Sequence, residues 1–293
     1  MTAWAAEIDA FTVWLAASGS PPSTLRLRRW QVRHLAETYP DRSPWSLSTD
    51  DLTRYLAGHR WRPETLKSAR GSVRSFYGWA VATGRIPASP AAVLRPVHVP
   101  DALPRPAGDA TVADALDRAD DKTRLMILLG ALAGLRAGEI ARLAWSDVEH
   151  GDLDHKLSTG CGRGVIHVHS KGGKVRVVPL HPELDNALST ERERRRSGRA
   201  GSGFRYNASS TTWVFPSQRA GRPVTAGHVS KTLGRVLGDA SGHQLRHRFA
   251  TRVYAAGSDL LAVQQLLGHA SVTTTVRYTM LQTGALQRAV LAA

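Results

Sequence analysis

Arg136, Lys171, His243, Arg246, His269 and Tyr278 are the side chains of this 293-residue chain whose types, order and spacing could do chemistry together. They lie in four short segments. AGLRAGEIARL holds Arg136 and Glu139, HSKGGKVRVVPL holds Lys171, HQLRHRFAT holds His243, Arg246 and His247, and LLGHASVTTTVRYT holds His269 and Tyr278. Together they supply what transfer of a phosphodiester to a tyrosine needs. Two guanidiniums, with planar forks matched to phosphate, can clamp the non-bridging oxygens as charge rearranges over them. A tyrosine can attack phosphorus, but its ordinary pKa of about 10 makes it a weak nucleophile at neutral pH. It therefore needs a nearby base or cationic surroundings. The leaving oxygen needs a proton, which a lysine on a hairpin can reach to deliver. Histidines can shuttle protons or position the phosphate.

Each residue also has an ordinary reading. Arg136 alone reads as a surface arginine at a helix end, Lys171 as a turn residue and Tyr278 as a surface tyrosine in a threonine-rich stretch. His243 and His247 stand four apart, as a metal pair on a helix would. No acid lies between them as in H-E-x-x-H, so no metal site is expected. Glu139 could simply pair with Arg136 or Arg142. The single cysteine, Cys161, reads as an inert loop thiol and leaves no disulfide framework. Order and spacing across four segments together outweigh these separate readings.

The elements that carry the segments follow from periodicity. Trp4, Ile8, Phe11 and Leu15 have helical spacing, ended by Gly19 and the Pro21-Pro22 pair. Helices are expected from Ser23 to about Glu37, near Thr49–Leu56, and from Pro63 to about Ala82. Arg26, Arg29 and Arg33 form one basic stripe on these helices and Lys67, Arg70 and Arg74 another. Two such stripes almost free of acids favour DNA backbone contact over a plain solvated face. RPVHVPDALPRPAG has prolines at 96, 100, 104 and 106 and reads as an extended linker. The expected domains are therefore a helical DNA-binding domain at 1–95, a linker at 96–106 and a catalytic domain at 107–293. The catalytic domain opens with helices, including the apolar DDKTRLMILLGALAGL. EIARLAWSDV follows as a short helix running into a turn. GVIHVHS and KVRVVPL then form a hairpin with Lys171-Gly172-Gly173 at its tip. Helices over His181–Arg195, Thr225–Leu237, Gln244–Ala255 and Asp259–Leu267 complete it. The fold class is mainly α with a small antiparallel sheet.

Charge points the same way. Lys and Arg number 39 against 24 Asp and Glu, a formal excess of +15. Nucleic acid is the usual partner of such an excess, through counterion release along the phosphates. No lipidation motif and no membrane-spanning apolar run is found, and MTAWAAEIDAF lacks the basic region of a signal peptide. A cytoplasmic protein, in the bacterial cytosol or nucleoid, is expected.

Arg136, the hairpin Lys171, His243-x-x-Arg246, His269 and Tyr278, with LLGH ending on His269, resemble the tyrosine recombinases, or phage integrases. The resemblance spans nearly the whole chain and is strongest from Leu135 to Thr279. It implies a catalytic set of Arg136, Lys171, His243, Arg246, His269 and Tyr278, with Glu139 in a supporting acidic position and His247 beside it. It implies that the N-terminal helices and the catalytic domain form a clamp around double-stranded DNA. Strand exchange would then run through a 3′-phosphotyrosyl intermediate and a Holliday junction, with four protomers on two core sites. It implies no cofactor, metal or ATP, and an accessory directionality factor as a further candidate partner. The compact length resembles Xer-like or small phage enzymes. Gly242, Ser170 and Arg248 depart from the family pattern, which often has proline, glycine and Thr or Ser there. The tail LQTGALQRAVLAA is expected to dock on a neighbouring protomer. Two other functions fit less of the pattern: a type IB topoisomerase-like strand transferase and a non-catalytic DNA-binding protein.

Overall fold

Apolar residues three and four apart, interrupted by proline and glycine, set the elements of the first of two units, Met1–Ala102. The computed structural model describes residues 3–100, 105–150, 164–170, 173–198, 212–218, 221–257 and 259–268. Helix α1 (Ala3–Ala17) buries Trp4, Ile8, Phe11 and Leu15. It ends where Gly19 turns the chain at φ 71°, a left-handed conformation open to glycine at no Cβ cost. Helices α2 (Pro22–Thr38) and α4 (Pro63–Ala82) each open on a proline, whose fixed φ suits a first turn. Helix α3 (Thr49–Ala57) opens on a capping box, Ser48 Oγ accepting from Asp51 N while the Asp51 carboxylate accepts from Ser48 N. The buried faces meet in an aromatic core. The Phe76 ring lies 5.4 Å from Phe11, edge to face, and 5.5 Å from Trp45, stacked, both favoured ring geometries.

The second unit runs from Leu103 to Ala293. Its described elements are α5 (Asp109–Arg118), α6 (Asp121–Ala133), α7 (Ala137–Ala141), β1 (Val148–Glu149), β2 (Val165–His169), β3 (Val175–Pro179), α8 (Pro182–Arg196), α9 (Ala226–Leu237), α10 (Gly242–Gly257) and α11 (Leu260–Leu267). Helix α6 is apolar on nearly every face and is buried accordingly, from Leu125 through Leu129. Helix α10 crosses it closely. A Cβ on Gly130 would come within 3.0 Å of Leu245 Cδ1, so the glycine sets how near the two helices approach. The strands form one antiparallel sheet in the order β1-β2-β3, with Val148 opposite Ile166 and His169 opposite Val175. Ile166, Val168 and Val178 face the core. The β2–β3 hairpin is closed by Ser170 N donating to Lys174 O at 2.7 Å, with Gly173 at φ 75°. The architecture is thus mainly helical with a small antiparallel sheet. β1 joins the expected hairpin as a third strand. Among the described residues, no helix is long and apolar enough to cross a membrane.

Candidate active site

Arg136 stands immediately before helix α7, in extended backbone at φ −76°, ψ 155°. Glu139 lies in its first turn and folds back, accepting the Arg136 N–H at 2.8 Å and Arg136 Nη1 at 3.0 Å. A carboxylate there caps an orphan backbone donor and complements the helix dipole. Helix α10 brings His243, Arg246 and His247 to the same place. Arg246 is 1% exposed. Its Nη1 donates to Gly134 O and its Nη2 to Leu267 O. Nη1 also lies 3.7 Å from Glu139 Oε2. One guanidinium therefore ties the end of α6, the start of α7 and the end of α11 together. Close packing reinforces the joint. A Cβ on Gly134, at φ 64°, would lie 2.5 Å from Phe249 Cδ1. The His243 and His247 rings stand 4.3 Å apart, edge to face. Among the described residues, no cluster suited to a metal ion is found.

A further arginine completes the cluster. Arg176 on β3 is 9% exposed. Its Nη1 and Nη2 meet the two Glu139 oxygens at 2.9 and 2.8 Å, a two-point ion pair. Nη1 also donates to Ser170 Oγ at 2.7 Å, and Nε donates to Leu266 O at 2.8 Å. The sequence hides this residue. In Val175-Arg176-Val177-Val178 an alternating strand would be expected to bury its valines and turn the arginine out. The register is the reverse, with Val175 and Val177 about half exposed and Arg176 and Val178 inside. A buried acid nearby was the one available signal, since a buried carboxylate requires a partner.

Burial alone would push the Glu139 carboxyl up. The Arg176 hydrogen bonds, the Arg136 N–H and the charges of Arg176 and Arg246 outweigh it and hold the group down at about 2. Arg136, Arg176 and Arg246 against one carboxylate leave the cluster positive. That excess suits an incoming phosphodiester.

A sequence profile of the phage integrase family matches residues 110–284. The chain is 31% identical over 275 residues to a tyrosine recombinase XerC of Corynebacterium efficiens, covering 89% of this chain and 82% of that one. It is 31% identical over 244 residues to a XerC of Xanthomonas axonopodis pv. citri, covering 78% and 72%. The chain belongs to the phage integrase family, the tyrosine recombinases. Its fold is similar to that of a lambda integrase dimer bound to a COC′ core site, with TM-score 0.69, 20% identity, and 93% and 76% of the two chains covered. It is equally similar to XerH bound to palindromic difH, with TM-score 0.69, 21% identity, and 94% and 81% covered.

Within this tyrosine recombinase, Arg136, Glu139, His243, Arg246 and His247 are brought together. Lys171, His269 and Tyr278, and the tail LQTGALQRAVLAA, lie outside the described residues. The departures from the family pattern have local explanations. The Ser170 hydroxyl joins the Arg176–Glu139 network, donating to Glu139 Oε1 at 3.3 Å. Arg248 ties α10 to the first residue of α5 through Asp109 Oδ1, with Nη2 at 2.8 Å and Nε at 3.1 Å. Gly242 packs on Leu233, whose Cδ1 a Cβ would meet at 2.9 Å. Of the six basic residues in the two stripes of the first unit, Arg26, Arg33, Lys67 and Arg74 are exposed. Three of the six have partners within the protein. Arg29 pairs with Asp9 at 2.6 Å, Arg70 donates through Nε and Nη2 to Leu94 O, and Arg74 Nη1 donates to Ala92 O at 2.9 Å. The last two hold the 91–94 segment on α4.

His243 and His247 are held toward the neutral form. Burial, then the charges of Arg246 and Arg136, push His243 below its ordinary 6.5. Burial, then His243 and Arg246, push His247 down to about 4. His243 is therefore uncharged at neutral pH and able to accept a proton. Adduct yield measured against pH is expected to hold down to pH 6.5 and to decline only at lower pH, where His243 gains its proton. Stability moves with the same groups. The unfolded chain binds these protons at a higher pH than the folded one, so acid favours unfolding. The thermal midpoint should fall as pH drops from 6.5 toward 4, and less so in His247→Gln. Identical pH slopes for the two proteins in a melting series would contradict this.

Proposed function

We propose that this chain is a site-specific DNA recombinase that cuts and rejoins DNA through a 3′-phosphotyrosyl intermediate. The observation that carries this is the meeting of Arg136 and Arg246 on Glu139, beside a neutral His243, in a chain of the tyrosine recombinase family. Tyr278 Oη attacks a scissile phosphorus. The P–O5′ bond breaks and the phosphate passes to the tyrosine, leaving a free 5′ hydroxyl. His243 takes the phenolic proton, and Lys171 gives a proton to the leaving oxygen. Arg136 and Arg246 neutralise charge on the non-bridging oxygens, while His269 hydrogen-bonds the phosphate. One phosphoester replaces another, so bond energy is conserved without ATP, and cationic side chains do the electrostatic work without a metal.

The 5′ hydroxyl of a partner duplex reverses the step and exchanges strands through a Holliday junction. Four protomers act on two core sites; lambda integrase, whose fold is similar, forms a tetramer bound to a Holliday junction. The first unit, presenting Arg26, Arg33 and Lys67, grips the DNA backbone, so that the two units clamp the duplex. The tail docks on a neighbouring protomer. The enzyme works in the bacterial cytosol on the nucleoid. The test is a plasmid carrying two copies of the duplex recovered by covalent capture. Exchange between the copies in EDTA supports the reading. Relaxation of a plasmid lacking that duplex, with no exchange, would point instead to a topoisomerase-like strand transferase.

A further inference from the structure

We infer that Arg176 is a positioning residue for the cleavage step, acting by holding the stem of the Lys171 hairpin against Glu139. The inference rests on the recombinase reading above. Arg176 touches three parts of the cluster at once. Its Nη1 and Nη2 grip Glu139, Nη1 holds Ser170 Oγ, and Nε holds Leu266 O near the end of α11. Ser170 is bonded to Lys171, and Leu266 stands three residues before His269. Two residues assigned to the chemistry thus follow directly from chain anchored to one guanidinium.

The stem of the side chain is fixed as well as its head. Gly268 turns the chain at φ 63°, and a Cβ there would lie 3.1 Å from Arg176 Cδ. The turn that leads to His269 therefore packs on the arginine itself. Among the described residues the last pairing bond of the hairpin is Ser170 N to Lys174 O, and Lys171 follows it in the chain, so the guanidinium's grip on Ser170 adds a hold next to the lysine. A lysine has four rotatable bonds of freedom of its own, so small shifts of its base become large shifts of its ammonium. Correct placement of a catalytic group is worth orders of magnitude in rate. Partners that hold metal-ligating side chains in place contribute roughly 10–100-fold, which sets the scale for a group that positions a catalytic lysine.

The test compares two leaving groups. A nicked duplex carrying the sequence captured by the wild type is prepared with the ordinary 5′ bridging oxygen or with sulfur in its place. A thiol's ordinary pKa of about 8.5 lets sulfur depart with little help from an acid, whereas oxygen needs the lysine's proton. Arg176→Lys keeps a cation beside Glu139 but loses the fork. It is expected to slow cleavage of the oxygen substrate roughly 10–100-fold, to leave DNA affinity unchanged, and to recover most of the loss on the sulfur substrate. Ser170→Ala removes the hairpin's hydroxyl contacts with the guanidinium and with Glu139, keeps the Arg176–Glu139 ion pair, and should show a smaller loss with the same selectivity for oxygen. Equal loss on both substrates, or no loss, in the folded variants would overturn the inference. A wild type that forms no covalent adduct would instead overturn the recombinase reading and the inference with it.

Discussion

Arg246→Lys is expected to slow strand cleavage by about 10²–10³-fold, the usual cost of losing one preorganised donor to a developing oxyanion. The charge is kept, so the effect isolates the planar fork. In the structure that fork reaches Gly134 O and Leu267 O at once, and a single ammonium cannot bridge two such sites while also meeting phosphate. The loss should appear in the rate of adduct formation at saturating DNA. It should not appear in affinity, because backbone binding is spread over many phosphates. Single-turnover cleavage by quench flow, beside a melting curve, measures both quantities. A folded variant within tenfold of the wild type would remove Arg246 from the transition state.

Glu139→Leu should be among the most destabilising substitutions outside the apolar core. The side chain is 5% exposed and partners the guanidiniums of Arg136, Arg176 and Arg246. Its removal takes away the carboxylate that the buried Arg176 pairs with and that Arg246 lies beside, a change that costs about 3–5 kcal/mol when one member of a buried pair is deleted. For a domain of this size that corresponds to a midpoint lowered by roughly 6–20 °C. Added Arg176→Leu should recover part of the loss, since removing both members of a buried pair relieves the uncompensated charge. Additive losses in the double variant, read by denaturant melts, would show that the two side chains do not act as a pair.

Much of this arrangement is legible in the chain because its signals are local. Pro22, Pro63 and Pro182 mark the first turns of helices, and Ser48, Thr225 and Asp259 cap others. The apolar residues of α1 and α4 repeat at helical spacing, α6 is a long apolar run, and Gly173 sits where the hairpin turns. The chain divides into two units, Met1–Ala102 and Leu103–Ala293. Arg136, Glu139, His243 and Arg246 stand out because their order matches a pattern. What local signals cannot supply is which face of β3 turns inward, because Val175-Arg176-Val177 reads most simply with its arginine in solvent. Neither can they show that Arg246 is buried against two carbonyls, a consequence of α10 crossing α6 through Gly130. β1 escapes notice for another reason: with Val148 and Glu149 alone it has no alternation to read. Arg70 and Arg74 look like a DNA-facing stripe, yet their fixed partners are the Leu94 and Ala92 carbonyls.

The proposed chemistry joins Tyr278 covalently to DNA. The direct measurement is capture of that bond. Purified protein is mixed with nicked fragments of DNA from its source in EDTA, and SDS-resistant adducts are collected, digested and sequenced on both the peptide and the DNA side. Wild type is expected to yield adducts joined through a 3′ phosphate to the peptide holding Tyr278 and clustered at one DNA sequence, with none from Tyr278→Phe. Adducts of equal yield from Tyr278→Phe, or a 5′ linkage, would contradict the account.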